Sequence, residues 1–336
     1  MDTVVERRRV EQAQTAKLER FEIAVLVPCY NEEATIDAVV RGFRQALPSA
    51  MVYVYDNAST DRTREVASAA GAIVRMESHR GKGNVVRRMF ADIEADIYVM
   101  VDGDNTYDAM AAPRLVNELI ESHLDMVNGS RMANSQEAYR RGHKLGNRLL
   151  TSLVGSIFGD HFQDMLSGYR VFSRRFVKSF PALAAGFEIE TELTVHALEL
   201  RMPVKEIITE YRERPEGSVS KLKTYSDGLR ILRTIVTLIK EERPLQFFFL
   251  VFTVLASLSV LLALPLILEY VHTGLVPRFP TAILATGLML LSFLSLFCGL
   301  ILDTVARGRR EARRMAYLCI PTVPVAFAIR RTGRDG

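Results

Sequence analysis

Apolar and polar positions follow two regimes along the chain. In the first, short apolar runs alternate with stretches of helical spacing. Residues 23–27, 51–55, 72–76 and 97–101 are apolar runs of strand length, and residues 126–128 read as a fifth. Between them, residues 34–47, 61–70, 82–91 and 113–122 place apolar side chains at three- and four-residue intervals. That is the period of a helix with one buried face. Gly71 closes the second of these helices. Strands separated by helices of this length form a mostly parallel sheet with right-handed crossovers. The expected fold class is α/β and Rossmann-like, with ligands at the carboxyl ends of the strands.

The second regime lies near the C-terminus. Residues 247–268 and 281–302 each run without a charge. A helix of about 20 apolar residues crosses a hydrocarbon core, so these two runs predict a transmembrane hairpin, with Pro265 near the end of the first. The alternative, a pair of buried core helices, seldom runs this long without a charge. Just before the hairpin, Leu229, Leu232, Val236 and Ile239 recur at helical spacing, widened by Ile235, while Arg230, Arg233, Thr237 and Lys240 take another face. This predicts an amphipathic helix lying in the membrane interface; packing on the catalytic domain is the alternative.

Charge then sets orientation. Lys221, Lys223, Arg230, Arg233, Lys240 and Arg243 precede the first span, and Arg307, Arg309, Arg310, Arg313 and Arg314 follow the second. The connection between the spans carries only Arg278. The positive-inside rule places both termini in the cytosol, on a cytoplasmic or endoplasmic-reticulum-type membrane. Residues 1–20 form a charged segment in which Arg7, Arg8 and Arg9 precede no apolar run, so it is not a signal peptide. The expected division is 1–20, a catalytic domain at 21–223, a juxtamembrane helix at 224–243, spans within 244–303 and a basic tail at 304–336. The apolar stretch 316–329 is too short to span and reads as interfacial or packed.

Composition adds exclusions. Among 336 residues, 43 Lys and Arg stand against 39 Asp and Glu, giving a net charge of +4, too little to mark a nucleic-acid binder. Three cysteines exclude a paired disulfide framework.

The strand ends carry the chemistry. V-P-C-Y-N-E-E (residues 27–33) follows the first strand and D-N-A-S-T-D-R-T (56–63) the second. Arg80-Gly81-Lys82-Gly83 follows the third, and D-G-D-N-T-Y-D (102–108) the fourth. Asp102 and Asp104 flank a glycine that permits a tight turn, and a hard divalent cation, Mg²⁺ or Mn²⁺, relieves the repulsion of two such carboxylates. Asp56 ends its strand and faces the ligand edge, whereas Ser59 and Asp61 suit capping of the next helix. Tyr30 suits stacking on a base or packing, Glu32 a ribose contact or a helix start, and Cys29 packing. Gly81-Lys82-Gly83 opens a helix, a position that suits phosphate.

These segments resemble the nucleotide-sugar-binding half of the family-2 glycosyltransferases, inverting enzymes of the GT-A fold, over residues 21–223. Within that family, G-S-R (129–131), D-M-L-S-G-Y-R-V-F-S-R-R-F (164–176) and G-S-V-S-K-L (217–222) resemble the polyprenyl-phosphate glycosyltransferases, of the dolichol-phosphate mannose synthase and undecaprenyl-phosphate hexosyltransferase kinds. The resemblance implies nucleoside contacts at Pro28, Tyr30, Glu32 and Asp56. It places Asp102 on the ribose or donor sugar and Asp104 on the metal in a catalytic role, with Asp102 as a second metal contact and Lys82 at the nucleotide sugar. Relatives often carry a metal-contacting glutamine where this chain has Thr106. Arg131 matches the acceptor-phosphate arginine, with Arg140 or Arg141 as its partner and Arg170 and Lys221 as further anion contacts. Asp164 and Glu190 are candidate catalytic carboxylates. Glu190 is the choice for base or donor-sugar contact, and acid enrichment at a helix start is the alternative for Glu188, Glu190 and Glu192.

The implied reaction transfers a hexose from a nucleotide sugar, UDP-hexose ahead of GDP-mannose, to a polyprenyl phosphate. The partners are thus a nucleotide sugar, a lipid phosphate and the membrane, with self-association left open. A processive polysaccharide synthase would carry Q-x-x-R-W, and the chain has no tryptophan. A non-catalytic adaptor would have no use for the intact Asp102/Asp104 pair.

Overall fold

The computed structural model describes residues 18–132, 164–186, 188–212 and 243–323, with Val236, Thr237, Lys240 and Glu241 between the last two blocks. It divides into two compact units, residues 1–228 with 313–336, and residues 229–312. The amphipathic helix expected over 226–240 and the charged N-terminal segment lie largely outside the described residues.

The first unit is an α/β domain built on one seven-stranded sheet. In chain order its elements are β1 (Ile23–Cys29), α1 (Ile36–Ala46), β2 (Met51–Asp56), α2 (Thr63–Ala69), β3 (Ile73–Met76), α3 (Lys82–Asp92), β4 (Ile97–Met100), α4 (Ala112–Glu121) and β5 (Met126–Met132). There follow β6 (Arg170–Ser173), α5 (Arg174–Ser179), α6 (Ile189–Glu199) and β7 (Val204–Glu210). The strand order is β3-β2-β1-β4-β6-β5-β7. Strands β1 to β4 are mutually parallel, so Cys29, Asp56 and Met76 end at one edge in matched register. Strand β6 runs antiparallel between β4 and β5, and β7 pairs parallel with β5.

Alternation explains the burial. Strand β4 is buried at every position because helices cover both faces of the sheet. On α1, Ile36, Val39, Val40 and Phe43 fall on one face and are buried, and Phe43 meets Tyr169 edge-to-face at 5.9 Å. The first four strands and four helices fall where the periodicity puts them, within a residue or two, and the fifth strand starts at Met126 as expected but runs four residues further, to Met132. Strands β6 and β7 and helices α5 and α6 are additions that the pattern did not reveal.

The far edge of the sheet, opposite the strand ends that bear the motifs, holds a buried ionic knot. Asp125, immediately before β5, is fully buried and accepts from Ser173 Oγ (2.7 Å), Arg175 Nη2 (2.7 Å) and Tyr317 Oη (2.8 Å). The Arg175 guanidinium also stacks 4.7 Å from the Tyr317 ring centre. Arg313 pairs with the buried Glu199, and Val323 enters the hydrophobic core. Residues 313–323 therefore group with the α/β domain; of the apolar stretch 316–329, Val323 is buried and Leu318 and Cys319 are exposed, and 324–329 lie outside the described residues.

The second unit contains α7 (Pro244–Thr273) and most of α8 (Phe279–Leu318). Both are long and apolar enough to cross a membrane, and both outrun the uncharged stretches that announced them. Gly274, at φ +70°, ends α7 in the left-handed conformation that glycine adopts without penalty. Within the unit the two helices meet along small residues. Ala285, Ser292, Gly299 and Ala306, the buried positions of α8, recur every seventh residue, the period of a left-handed helix pair. Ser259 Oγ donates to Ala285 O (2.7 Å) and Ser295 Oγ to Phe248 O (3.1 Å). A Cβ at Gly299 would stand 2.8 Å from that of Phe248.

Removing Asp125 strands Arg175 with no counter-charge. Asp125→Ala is expected to destabilise the domain by about 3–5 kcal/mol, and Tyr317→Phe by about 1 kcal/mol. Thermal unfolding of the full-length chain in detergent checks both.

Candidate active site

The loops that follow β1 and β2 are stitched to each other. Asn31 N donates to Ser59 Oγ (2.9 Å), Glu32 N to Thr63 Oγ1 (2.9 Å) and Glu33 N to Asp61 Oδ2 (3.1 Å). Asn31 sits at φ +53° and its side chain accepts from Thr60 N at 2.8 Å. Ser59 is thus a stitch between loops, while Asp61 both stitches and accepts from Thr63 N at the start of α2 (3.0 Å).

This frame surrounds Asp56. The residue is fully buried, its Oδ2 accepts from Ser59 N (3.2 Å), and its Oδ1 is buried without a hydrogen-bond partner. A buried acceptor left unmatched is costly, and an incoming N–H would satisfy it. Asn57, which the sequence reading passed over, ties the loop after β3 in place. It donates to Glu77 O (3.0 Å) and His79 O (2.8 Å) and accepts from Gly81 N (2.7 Å). The Arg80 guanidinium lies 5.5 Å from the Tyr30 ring centre.

The start of α3 departs from expectation. Its first N–H groups do not face a phosphate site: Gly83 N donates to Gly186 O (3.2 Å) and Asn84 N to Ala185 O (3.4 Å). Gly81 and Gly83 are required by that contact, since a Cβ on either would stand 2.1 Å or 2.0 Å from an alanine carbonyl oxygen. The crossing loop is itself pinned by Glu192, which accepts from Leu183 N (2.9 Å) and Ala184 N (2.8 Å).

Lys82 turns inward instead. Its Nζ donates to Asp102 Oδ1 (2.5 Å) and to Glu190 Oε1 (2.6 Å), with side-chain exposures of 9%, 29% and 7% for the three residues. Burial pushes a lysine pKa down, but the two carboxylates outweigh burial here and hold it above the ordinary lysine range. Glu190 Oε2 is buried with no hydrogen-bond partner.

Gly103 allows the turn between the two aspartates, where a Cβ would stand 2.7 Å from Cys29 Sγ. Cys29 is accordingly a packing residue. Asp104 is 4% exposed and is oriented by Thr106, whose hydroxyl donates to its Oδ1 at 2.6 Å. Glycine at 168 is equally specific, because a Cβ there would lie 2.1 Å from Asp102 Oδ2. Thr35 Oγ1 ties Gly103 O (2.7 Å) to Glu32, on the loop after β1 (3.3 Å to Oε2).

On β5, Arg131 forms a two-pronged pair with Asp164, through Nε to Oδ2 (2.6 Å) and Nη2 to Oδ1 (2.7 Å). Its guanidinium also lies 5.5 Å from the Tyr211 ring centre. Burial raises the Asp164 pKa, but the pair with Arg131 prevails and holds it below the ordinary aspartate range.

One anion contact expected from the resemblance is corrected. Arg170 is fully buried and donates to Ser167 O (3.0 Å), Met165 O (2.5 Å) and Thr194 Oγ1 (2.9 Å). It braces the turn that delivers Asp164 and Gly168 and does not face an incoming anion. Arg140, Arg141 and Lys221 lie outside the described residues. Pro28, Tyr30, Glu32, Asp56, Lys82, Asp102 and Asp104 gather at the carboxyl edge of β1 to β4, Glu190 joins them through Lys82, and Arg131 and Asp164 lie beside β6.

The parallel strands, the D-x-D turn and the carboxylates at their ends define a nucleotide-sugar transferase of the GT-A type. The sequence pattern of glycosyl transferase family 2 matches residues 24–180. The glycosyltransferase AglJ of Haloferax volcanii is 37% identical over 67% of this chain and 75% of its own length. The dolichyl-phosphate hexose transferase of the same organism is 27% identical over 66% of this chain and 96% of its own. Protein RfbJ of Shigella flexneri is 55% identical over 37% of this chain and 97% of its own. Among solved structures, the Mycobacterium tuberculosis glucosyl-3-phosphoglycerate synthase in complex with Mn²⁺, uridine diphosphate and phosphoglyceric acid superposes at a TM-score of 0.57 and 25% identity. That match covers 67% of this chain and 81% of the synthase. The chain belongs to glycosyl transferase family 2 and is a glycosyltransferase.

Lys82→Met leaves two carboxylates facing each other in a confined site. It is expected to destabilise the domain by about 3 kcal/mol and to weaken nucleotide-sugar binding at least tenfold, with Lys82→Arg recovering part of both. Thermal unfolding and titration calorimetry provide the readouts.

Proposed function

We propose that the chain transfers a hexose, with inversion, from a nucleotide sugar to the phosphate of a polyprenyl phosphate at a membrane surface. The product is a polyprenyl-phosphate hexose for cell-envelope glycan or glycoprotein synthesis. One observation carries this reading: a D-x-D strand end for a sugar donor occurs on the same chain as two helices of membrane length. The likeness to a dolichyl-phosphate hexose transferase supports it. In this reading both termini are cytosolic, as the basic flanks of the spans suggest.

On the donor side, the unmatched Asp56 Oδ1 is suited to the imide N–H of uracil, and Tyr30 to stacking on the base. UDP-hexose is therefore the preferred donor. Pro28 and Glu32 line the same edge, and Asp102 holds the ribose or the sugar.

The donor set at the D-x-D turn suits a hard divalent cation, Mg²⁺ or Mn²⁺. Asp104 offers an oxygen oriented by Thr106, with Asp102 beside it. Among the described residues no group of three or more metal-ligating side chains converges, so diphosphate and water oxygens would supply most of the shell. Such an ion, when bound, neutralises charge on the departing diphosphate.

The acceptor asks little proton chemistry of the protein. A phosphate monoester has a second pKa near ~6 and is already a dianion for the most part at pH 7. The work left to the chain is to offset repulsion between two anions and to align them in line. We assign Arg131 to the acceptor phosphate, in keeping with its match to the G-S-R motif. Attack by a phosphate oxygen on the anomeric carbon breaks the bond to the diphosphate and inverts the configuration.

Incubation of purified protein with UDP-hexoses or GDP-mannose, and with either polyprenyl phosphate or 3-phosphoglycerate, tests the reading by product mass. A sugar-phosphate-polyprenol product is expected. Transfer to 3-phosphoglycerate alone would overturn it. Asp104→Ala is expected to abolish transfer, and full turnover by that variant at saturating Mn²⁺ would contradict its role. Arg131→Ala is expected to raise the acceptor KM at least tenfold while leaving nucleotide-sugar affinity within about twofold, as read by calorimetry.

A further inference from the structure

The Arg131–Asp164 pair continues into a second layer. Asn128, three residues before Arg131 on β5, donates through Nδ2 to Asp164 O (2.7 Å) and to Glu206 Oε1 (2.8 Å). The same Glu206 Oε1 accepts from Asp164 N at 3.2 Å. Glu206 sits on β7 directly opposite Asn128 in the parallel register. The backbone on both sides of the Asp164 side chain is thus fixed by side chains from two strands. The Asp164 carboxylate in turn accepts from Arg131 three times: from Nε, from Nη2 and from the backbone N at 3.3 Å.

This geometry separates two roles for Asp164. A general base needs an oxygen that can meet the proton it takes. Both oxygens of Asp164 are instead spent on the Arg131 fork, and the side chain is 8% exposed. The chemistry points the same way, since a phosphate acceptor brings its own negative oxygen. A two-pronged carboxylate–guanidinium contact is planar, so holding Nε and Nη2 fixes the direction of the whole guanidinium.

We propose that Asp164 acts as the positioning residue that aims Arg131 at the acceptor phosphate, and that Glu206 acts one step further back by fixing the chain at Asp164. Glu206 is a functional position that no sequence motif announces. The assignment rests on the reading of Arg131 as the acceptor-phosphate contact.

The test uses the full-length protein in detergent, with Asp164→Asn and Glu206→Gln. Both replacements keep volume. Asp164→Asn keeps one acceptor and loses the charge, and Glu206→Gln does the same one layer out. With UDP-hexose and a polyprenyl phosphate, Asp164→Asn is expected to raise the acceptor KM about tenfold or more. Donor KM should stay within about twofold, and the acid limb of the kcat pH profile should keep its position. Glu206→Gln should move the acceptor KM in the same direction by a smaller factor. In an Arg131→Lys background, Asp164→Asn should cost little more, because the two residues act as a unit. A fall in kcat of about a thousandfold at unchanged acceptor KM, with loss of the acid limb, would identify Asp164 as a base and overturn the proposal. So would full additivity with Arg131→Lys.

A second readout needs no acceptor. Phenylglyoxal labelling of Arg131, followed by peptide mass mapping, should accelerate in both variants, and an unchanged rate in both would overturn the relay. If the wild-type protein transfers nothing to polyprenyl phosphate, the proposed function fails, and the labelling arm still decides the relay. Should Asp164→Asn not fold, Glu206→Gln carries both readouts.

Discussion

A single ammonium group holds the site together. Lys82 comes from the start of α3, Asp102 from the end of β4 and Glu190 from the first turn of α6, and their charged ends meet within hydrogen-bonding distance. Two carboxylates confined together repel strongly in a medium of low effective dielectric, so the cation stabilises both α6 and the D-x-D turn in their places. The same demand explains the surrounding glycines. Gly81 and Gly83 let the loop before α6 cross over α3, and Gly168 lets the backbone beside β6 approach Asp102. One charge contact thus dictates where three separate pieces of chain can pack.

The parallel half of the fold was legible because each of its strands is an apolar run and each of its helices has a periodic face. The motif residues followed for a geometric reason: in parallel sheets, strand ends converge on one edge. Strands β6 and β7 were not legible for equally physical reasons. Strand β6 has four residues and begins with an arginine, a residue seldom found fully buried. Strand β7, at the sheet edge, mixes lysine and glutamates with isoleucines. Arg170 shows the limit of motif reading, since an arginine beside a phosphate-binding signature invites an anion, whereas its donors are consumed by the carbonyls of Met165 and Ser167. The α3 start shows another limit. A glycine-flanked helix N-terminus suits a phosphate and a carbonyl equally, and only tertiary packing decides which arrives.

Positional control in this molecule is layered inward from the substrates. Arg131 is held by Asp164, whose flanking backbone is held by Asn128 and Glu206 on neighbouring strands. Asp104 is held by Thr106, whose hydroxyl orients the carboxylate. The far edge of the sheet uses the same device for a structural end. Asp125, Arg175 and Tyr317 bind the last turns of α8 into the α/β domain. Burial, with the Arg313 charge, pushes the His196 pKa down to about 3, so that imidazole stays neutral across the physiological range.

The seam between α7 and α8 carries a consequence for which side chains it can accept. Its helices touch through serine hydroxyls on carbonyls and through a glycine with no room for another atom. A larger side chain at Gly299 would have to push the two helices apart, while beside the seam they frame an open apolar cleft of about 500 Å³, lined by Ser259, Leu266, Tyr270 and Met289 among others.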